Sequence, residues 1–454
     1  MKLTIEKAIY GGAGLARIPA EDAAAAGKAV FVPGALPGEV VEARITEQKR
    51  SFATAELVQV LKPSLQRIAP LCPHFSQCGG CHYQQADYAA QLEMKTAILR
   101  ETLERSGLRE LPPMVVHGAA TPEQAWQYRN RIRLHGTRGG RGPTFGYKER
   151  ASSRVLPVTE CRVAAPLLWR AATELLQLTE ELQQANALLR SCNEIELFCD
   201  AEGTQVQASL FLAAAERDLV AVFQEMCAAW QQTAPQLTGA GLYAPQGTAR
   251  KREEPAMRQV TNWGTGTLTY AVGGLQYRVT RGAFFQVNRH RIAELLQLVT
   301  QGRKGALAWD LYAGAGLFSC ALASSFEQVV AVEIASPANK DLAHNLAQTS
   351  RATAHTVVAA TTLEFLTGQA KSKHRQRPQL VVLDPPRAGL GAEVCRLLAQ
   401  AEAPQLVYVS CDPATLARDL AALVESGYQL QQVHLVDLFP QTFHLETVVT
   451  LTRR

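Results

Sequence analysis

The sequence predicts an α/β protein in three parts: a small β-barrel over residues 1–62, a mixed α+β part over 63–270 and a parallel, helix-covered sheet over 271–454. Three observations predict it. The first sixty residues hold short β-rich runs broken by Gly and Pro. From about residue 300, continuous apolar runs alternate with helical ones. A chain of 454 residues, 47% apolar and 19% charged, is globular in composition yet too long for one ordinary core.

The N-terminal runs are LTIEKAIY, AVFVPG, EVVEARITEQ and ATAELVQVLK. Gly11, Gly12 and Gly14 break the first, and ALPGE separates the middle pair, a spacing that suits a small barrel. Arg44, Lys49 and Arg50 near the third strand point towards RNA, although a generic β-domain reads the same way. No apolar run is long enough to span a membrane, and MKLTIEKAIYGG lacks a signal core, so a soluble cytoplasmic protein is expected. The net charge of +5 is compatible with a nucleic-acid partner and selects nothing alone.

The central part opens on CPHFSQCGGC, which sets Cys72, Cys78 and Cys81 five and two residues apart. A tetrahedral site needs a fourth ligand, and Cys161 in VLPVTECRV is the candidate. In a reducing compartment such a cluster reads as zinc or as an iron–sulfur centre, not as a disulfide framework. A helix follows over YAAQLEMKTAILRETLERSG, stopped by Gly107. Residues 128–150 interleave Arg129, Arg131, Arg133, Arg138, Arg141, Lys148 and Arg150 with Tyr128, Phe145 and Tyr147. Cations among aromatics suit phosphate contact and base stacking, or form a solvated basic hairpin. IELFCD and TQVQASLFLAA are strands, ERDLVAVFQEMCAAW a helix and GTARKREEPAM a surface loop. Cys192, Cys199, Cys227, Cys320 and Cys395 sit in apolar patterns and are assigned to packing.

In the C-terminal part the strands are ALAWDLYAGAG, QVVAVEI, AHTVVAA, PQLVVLDPP and QLVYVSC, with helices between them. Fully apolar strands alternating with helices indicate a parallel sheet covered on both faces. YQLQQVHLVDLF and HLETVVTLTR are candidate closing strands, one of them a candidate antiparallel strand. In DLYAGAGLFS, Gly314 and Gly316 let the backbone approach a ligand where strand gives way to helix. A dinucleotide fingerprint needs a third glycine, and position 319 is Ser, which argues against a nicotinamide cofactor. Glu333 closes the next strand, where an acid can hold ribose hydroxyls. Together these resemble the class I (Rossmann-like) methyltransferase pattern for S-adenosylmethionine.

Asp384, in LVVLDPPRAGL, and Cys411, in VYVSCDPATLARD, end strands at the same rim. Asp412 and Pro413 suit an N-cap and first helical position, so a helix N-terminus is expected beside the thiol, lowering its pKa. Alone, Cys411 is as readily a packed thiol as a nucleophile. Arg387 follows Pro386 where amine-methylating enzymes carry an aromatic residue, which counts against that chemistry. Glu446 begins a strand, usually a solvent-facing place. As a set these residues fit one reaction. Uracil carbon 5 is a poor nucleophile until a thiolate adds at carbon 6. It can then take a methyl group, and a base must remove the carbon 5 proton.

DPPRAG, YVSCDPATLARD, LFPQTFHLET and GAFFQVN resemble, in order and spacing, the RNA uracil-5-methyltransferase family. The resemblance covers essentially the whole chain. It implies Cys411 as nucleophile and Glu446 as base. It implies a cofactor site lined by Gln286, Tyr312, Leu317, Glu333 and Asp384 around the Gly314–Gly316 turn, with Gln286 also near the target base. Leu317 stands where the family often has Asn or Thr, which leaves a backbone contact; Thr362 stands where it often has Asn. Family members with such cysteines carry a [4Fe-4S] cluster, implying Cys72, Cys78, Cys81 and Cys161 as its ligands. GGAGLARI and VFVPGALPGEVV resemble a TRAM domain, an OB-like RNA-binding barrel. The combination resembles the enzymes acting on 23S ribosomal RNA, so a monomer making 5-methyluridine there is expected. The alternatives are a transfer-RNA T-loop enzyme, a cytosine-5-methyltransferase and a non-catalytic RNA-binding protein. A paired target base would have to be flipped out to reach Cys411.

Overall fold

A computed structural model describes residues 1–19, 27–137, 142–214, 219–246, 256–350 and 352–454. The GTARKREEPAM loop falls mostly outside them, as do Arg138 and Arg141. Among the described residues, no helix is long and apolar enough to cross a membrane.

Strands β1 (Lys2–Ala8), β2 (Ala13–Arg17), β3 (Ala29–Pro33), β4 (Val40–Gln48) and β5 (Phe52–Lys62) close into a barrel in the order β1-β2-β3-β5-β4. Period-two alternation turns Leu3, Ile5, Val30, Val32, Val41 and Ala43 inward. The β1–β2 turn needs the left-handed backbone of Gly11 and Gly12, φ 105° and 88°.

Next come α1 (Tyr88–Arg105), β6 (Met114–His117), β7 (Arg131–Gly136), β8 (Phe145–Lys148), β9 (Val155–Pro157), α2 (Pro166–Glu181), α3 (Gln183–Ser191), β10 (Cys192–Cys199), β11 (Val206–Leu212), α4 (Leu219–Thr233), β12 (Leu237–Pro245) and β13 (Met257–Gly264). Among the described residues these give a seven-stranded sheet ordered β13-β12-β11-β10-β7-β8-β9. Helices α2, α3 and α4 pack on it through Leu168, Leu175, Leu188, Phe223 and Trp230. Cys192, Cys199 and Cys227 are buried there.

The remainder is β14 (Thr267–Val272), β15 (Leu275–Thr280), α5 (Ile292–Thr300), β16 (Gly305–Leu311), α6 (Leu317–Leu322), β17 (Phe326–Val332), α7 (Ala338–Ala347), β18 (Thr356–Val358), α8 (Thr362–Lys371), β19 (Leu380–Leu383), α9 (Gly391–Ala401), β20 (Gln405–Ser410), α10 (Pro413–Glu425), β21 (Tyr428–Val436) and β22 (Glu446–Arg453). The sheet runs β18-β17-β16-β19-β20-β22-β21-β6, and β22 alone is antiparallel to its neighbours. Chain order reverses between β16 and β19, so a crevice opens outside the carboxyl ends of those strands.

Chain segments and cores do not coincide. β6 joins the far edge of this sheet, parallel to β21. Ile98, Leu99 and Leu103 of α1 share a core with Leu420 and Leu435, while Leu268 and Tyr270 share another with Leu342 and Val382. Pieces of the 63–270 part thus complete the C-terminal sheet and its faces.

Below the site lies a buried ion pair. Lys95 Nζ on α1 donates to Asp437 Oδ1 (2.6 Å) and to the Phe439 carbonyl (2.9 Å), and both charged side chains are fully buried. Tyr88 Oη donates to Asp437 Oδ2 at 2.8 Å. This pins the 437–445 connection, which leads directly into Glu446.

Candidate active site

A cavity of about 790 Å³ occupies the crevice. Gln286, Tyr312, Gly314, Leu317, Glu333, Asp384, Cys411 and Glu446 all line it; Gly316 lies just behind, at the N-cap of α6. Size and mixed lining suit a nucleoside-sized ligand.

The β16–α6 turn is strained towards the cavity. Tyr312, Gly314 and Gly316 have φ of 65°, 55° and 93°. A Cβ on Gly316 would meet Leu342 Cδ1 at 2.9 Å, so any side chain there must displace the Leu342 side chain and also strain a backbone of φ 93°. Glu333 braces the turn: its Oε2 accepts from Gly314 N (2.9 Å) and its Oε1 from Ala335 N (2.6 Å). The carboxylate keeps lone pairs for a ligand hydroxyl. Ser319, the residue that breaks the glycine fingerprint, donates its hydroxyl to Asp310 Oδ2, while Asp310 Oδ1 is buried without a partner. Burial pushes the Asp310 carboxyl up to about 7.

Gln286 is carried by a loop locked from two sides. Asn130 Nδ2 donates to the Gln286 carbonyl (2.9 Å) and Asn288 Nδ2 to that of Leu438 (2.9 Å), with both asparagines fully buried. Gln286 Nε2 in turn donates to Asp384 Oδ2 at 3.4 Å.

Asp384 and Glu446 are both held above the ordinary carboxyl range. Burial, then the Asp310 charge, pushes Asp384 up to about 7. Burial, then Asp384, pushes Glu446 well above the ordinary carboxyl range, against the pull of Arg387. Glu446 is only 4% exposed, so the solvent-facing place suggested by its position at a strand start does not hold.

Cys411 differs from the expectation too. Burial, then Glu446, pushes its thiol up to about 11; Arg387 lowers it and Asp384 raises it further. The helix N-terminus gives the thiol little help because Asp412 Oδ1 already accepts from Ala414 N and Thr415 N, both at 3.0 Å. The residue that caps the helix takes the N–H groups that were assigned to the sulfur.

The segment holding Cys72, Cys78 and Cys81 lies against the β8–β9 hairpin, with Gly79 N donating to the Lys148 carbonyl (3.0 Å) and Arg150 Nη2 to those of Phe75 (3.0 Å) and Cys81 (2.9 Å). Cys161 is close enough that its charge raises the other three thiols, Cys81 reaching about 12 chiefly through burial. Among the described residues, however, no group of three or more Cys, His, Asp or Glu is arranged to hold a metal ion. The sulfurs answer to local donors: Gly80 N to Cys78 Sγ at 3.4 Å and Tyr147 Oη to Cys161 Sγ at 3.5 Å. The four cysteines are gathered but not converged.

The basic stretch 128–150 also changes its meaning. Tyr128 and Phe145 are buried, and Tyr128 Oη donates to the Pro440 carbonyl at 3.0 Å. Arg131 pairs with Glu196 (3.7 Å) and stacks over Phe198 (4.2 Å). Arg133 pairs with Glu194 (3.5 Å) and Glu196 (3.3 Å). These aromatics and arginines fold the sheet and are not free to stack bases. Sequence reasoning singled out neither His444 nor Tyr10, which lie beside the site; they stood there only as unremarked members of the LFPQTFHLET and LTIEKAIY runs.

Residues 224–454 match the tRNA (Uracil-5-)-methyltransferase family, and residues 1–58 match the TRAM domain. An "Uncharacterized RNA methyltransferase" of Thermotoga maritima is 31% identical across 100% of this chain and 99% of its own. The 23S rRNA (uracil(1939)-C(5))-methyltransferase RlmD of Chromohalobacter salexigens is 33% identical across 99% of this chain and 89% of its own. The Pyrococcus abyssi tRNA (uracil-54, C5)-methyltransferase, solved with S-adenosyl-L-homocysteine, superposes with a TM-score of 0.74 at 20% identity over 99% of both chains, a likeness of fold.

Proposed function

This chain belongs to the RNA uracil-5-methyltransferase family, whose members methylate uracil carbon 5 in RNA from S-adenosylmethionine, and from that premise we propose that it acts on a uridine of 23S ribosomal RNA through a covalent Cys411 adduct at carbon 6. One observation carries the mechanistic part: Cys411, Glu446, Asp384 and Gln286 line the same cavity as the Gly314 turn and Glu333. The ribosomal substrate is supported by the name of the Chromohalobacter relative. We place the enzyme in the cytoplasm as a monomer.

S-adenosylmethionine, when bound, supplies the methyl group as an electrophilic carbon on a sulfonium. Tyr312, Leu317 and the Gly314–Gly316 turn would hold it, and Glu333 would accept from the ribose hydroxyls. Gln286 and Asp384 orient the uracil edge. Cys411 loses its proton to solvent and its sulfur bonds to carbon 6, sending the ring electrons to the carbon 4 oxygen as an enolate. Carbon 5 would then take the methyl carbon as the sulfonium's carbon–sulfur bond breaks, the electron pair staying on sulfur to leave S-adenosylhomocysteine. The Glu446 carboxylate takes the carbon 5 proton, the carbon 5–carbon 6 double bond re-forms and the Cys411 thiolate leaves. Arg387 opposes the accumulated negative charge, as its effect on both Cys411 and Glu446 requires.

The test is tritium release from unmodified 23S RNA labelled at uracil carbon 5, for wild type and Cys411→Ala. Release that needs both cofactor and Cys411 supports the reading. Release from transfer RNA alone overturns the substrate, and release by Cys411→Ala overturns the adduct.

We also propose that Cys72, Cys78, Cys81 and Cys161 hold a [4Fe-4S] cluster, supported by four unpaired thiols within electrostatic reach and a backbone N–H directed at Cys78. About four iron and four sulfide per anaerobically purified chain is the expected assay; zinc without sulfide would refute it.

A further inference from the structure

A chain of rings connects the cysteine segment to the active site. His82 directly follows Cys81. Its ring meets Phe443 edge-on, centroids 4.6 Å apart, and Phe443 lies 4.3 Å from His444. Phe439 closes on His444 at 5.7 Å, and Tyr10 from the barrel meets Phe443 at 5.3 Å. The backbone follows the same route: His82 N and Tyr83 N both donate to the Gln441 carbonyl, at 2.8 and 3.0 Å. At the far end Arg387 Nη2 donates to His444 Nδ1 at 3.2 Å.

Arg387 matters because of what surrounds the thiol. Glu446 and Asp384 face Cys411 with negative charge, Tyr10 donates to the Cys411 carbonyl at 3.4 Å, and Arg387 is the cation that lowers the thiol. Yet Arg387 is exposed, and an exposed arginine side chain is conformationally free unless a neighbour fixes it. His444 is suited to fix it. Burial pushes its ring down to about 3, with Arg387, His82, Lys95 and Arg129 all acting in the same direction. The ring stays neutral at working pH, so Nδ1 remains an acceptor.

Resting on the reading of Cys411 as nucleophile, we propose that His444 is a positioning residue. It accepts from Arg387, holds the guanidinium beside Cys411 and Glu446, and is itself held by Phe443 and His82, so the cysteine segment sets the reactivity of the thiol.

The test reads the thiol without RNA. Iodoacetamide alkylation of Cys411 in the full chain is followed against pH by peptide mass spectrometry. His444→Leu moves the alkylation profile to higher pH, slowing the reaction near pH 8 by about threefold to tenfold. His444→Asn, which keeps an acceptor near the Nδ1 position, restores most of the rate. Arg387→Gln reproduces the shift, and His444→Leu with Arg387→Gln adds nothing further. His82→Ala moves the profile the same way, by less. A His444→Leu profile superimposed on wild type, with the circular dichroism spectrum intact, overturns the proposal. So does an Asn variant displaced as far as Leu, which would make His444 packing alone. Failure of the methylation reading shows instead as wild-type enzyme that releases no tritium while this titration still moves.

Discussion

Lys95→Met should unfold the molecule's junction, and the size of the loss follows from burial. Lys95 and Asp437 have no exposed side-chain surface. The methionine fills much of the same space but leaves Asp437 Oδ1 without its donor; the Phe439 carbonyl keeps the Thr442 hydroxyl (2.9 Å), and only Tyr88 still serves the carboxylate. Removing one partner of a buried pair costs about 3–5 kcal/mol, because the other charge stays buried uncompensated. At about 2–4 °C per kcal/mol, the melting midpoint falls by about 6–20 °C. Lys95→Met/Asp437→Leu should recover most of the loss, since a matched apolar pair is often neutral or stabilising. Differential scanning calorimetry of the two variants measures both. A single variant that melts within about 2 °C of wild type refutes the argument, as does a double variant no more stable than the single.

Glu446→Gln should permit methyl transfer and stall release, leaving protein covalently joined to RNA on a denaturing gel; normal turnover would remove Glu446 from its role. Gly316→Val, forced against Leu342 at 2.9 Å, should weaken S-adenosylmethionine binding by at least about tenfold by calorimetry while RNA binding persists. The pH profile of kcat/KM should carry an acid limb well above the ordinary carboxyl range. Glu446 is raised by burial and by Asp384, so the base stays protonated through the pH range where a solvated carboxyl has already ionised, and activity rises with pH as it loses its proton. A limb near pH 4 would mean the pair is solvated.

What the sequence made legible was local chemistry. A glycine turn after a strand, Asp412-Pro413 opening a helix and an acid at a strand tip all act within a few residues; the structure keeps the helix cap and sets the turn and the acid around one cavity. The misreadings share a cause. The Cys411 environment was inferred from the helix end alone, whereas Asp412 absorbs its N–H groups and Glu446, thirty-five residues on, adds charge. Arg131 and Arg133 look free until β10 and β11 bring Glu194, Glu196, Phe198 and Phe211 beneath them. Lys95 and Asp437 lie too far apart in sequence for either to announce the other.

Strand β6 carries a consequence for how the molecule is made. Residues 114–117 pair with Val433–Val436. During synthesis the outermost strand therefore emerges some three hundred residues before its neighbour exists, and it waits unpaired until the last thirty residues arrive. The wait is tolerable because β6 is short and because α1, just before it, can shelter against what has already folded. The converse is less forgiving. A fragment beginning at residue 271 would keep every group assigned to methyl transfer except what the barrel and the cysteine segment hold in place, yet it would leave the open flank of β21 bare. Such a flank is a ready template for another chain. The catalytic half of this sequence is therefore bound to its first quarter by solubility as much as by chemistry.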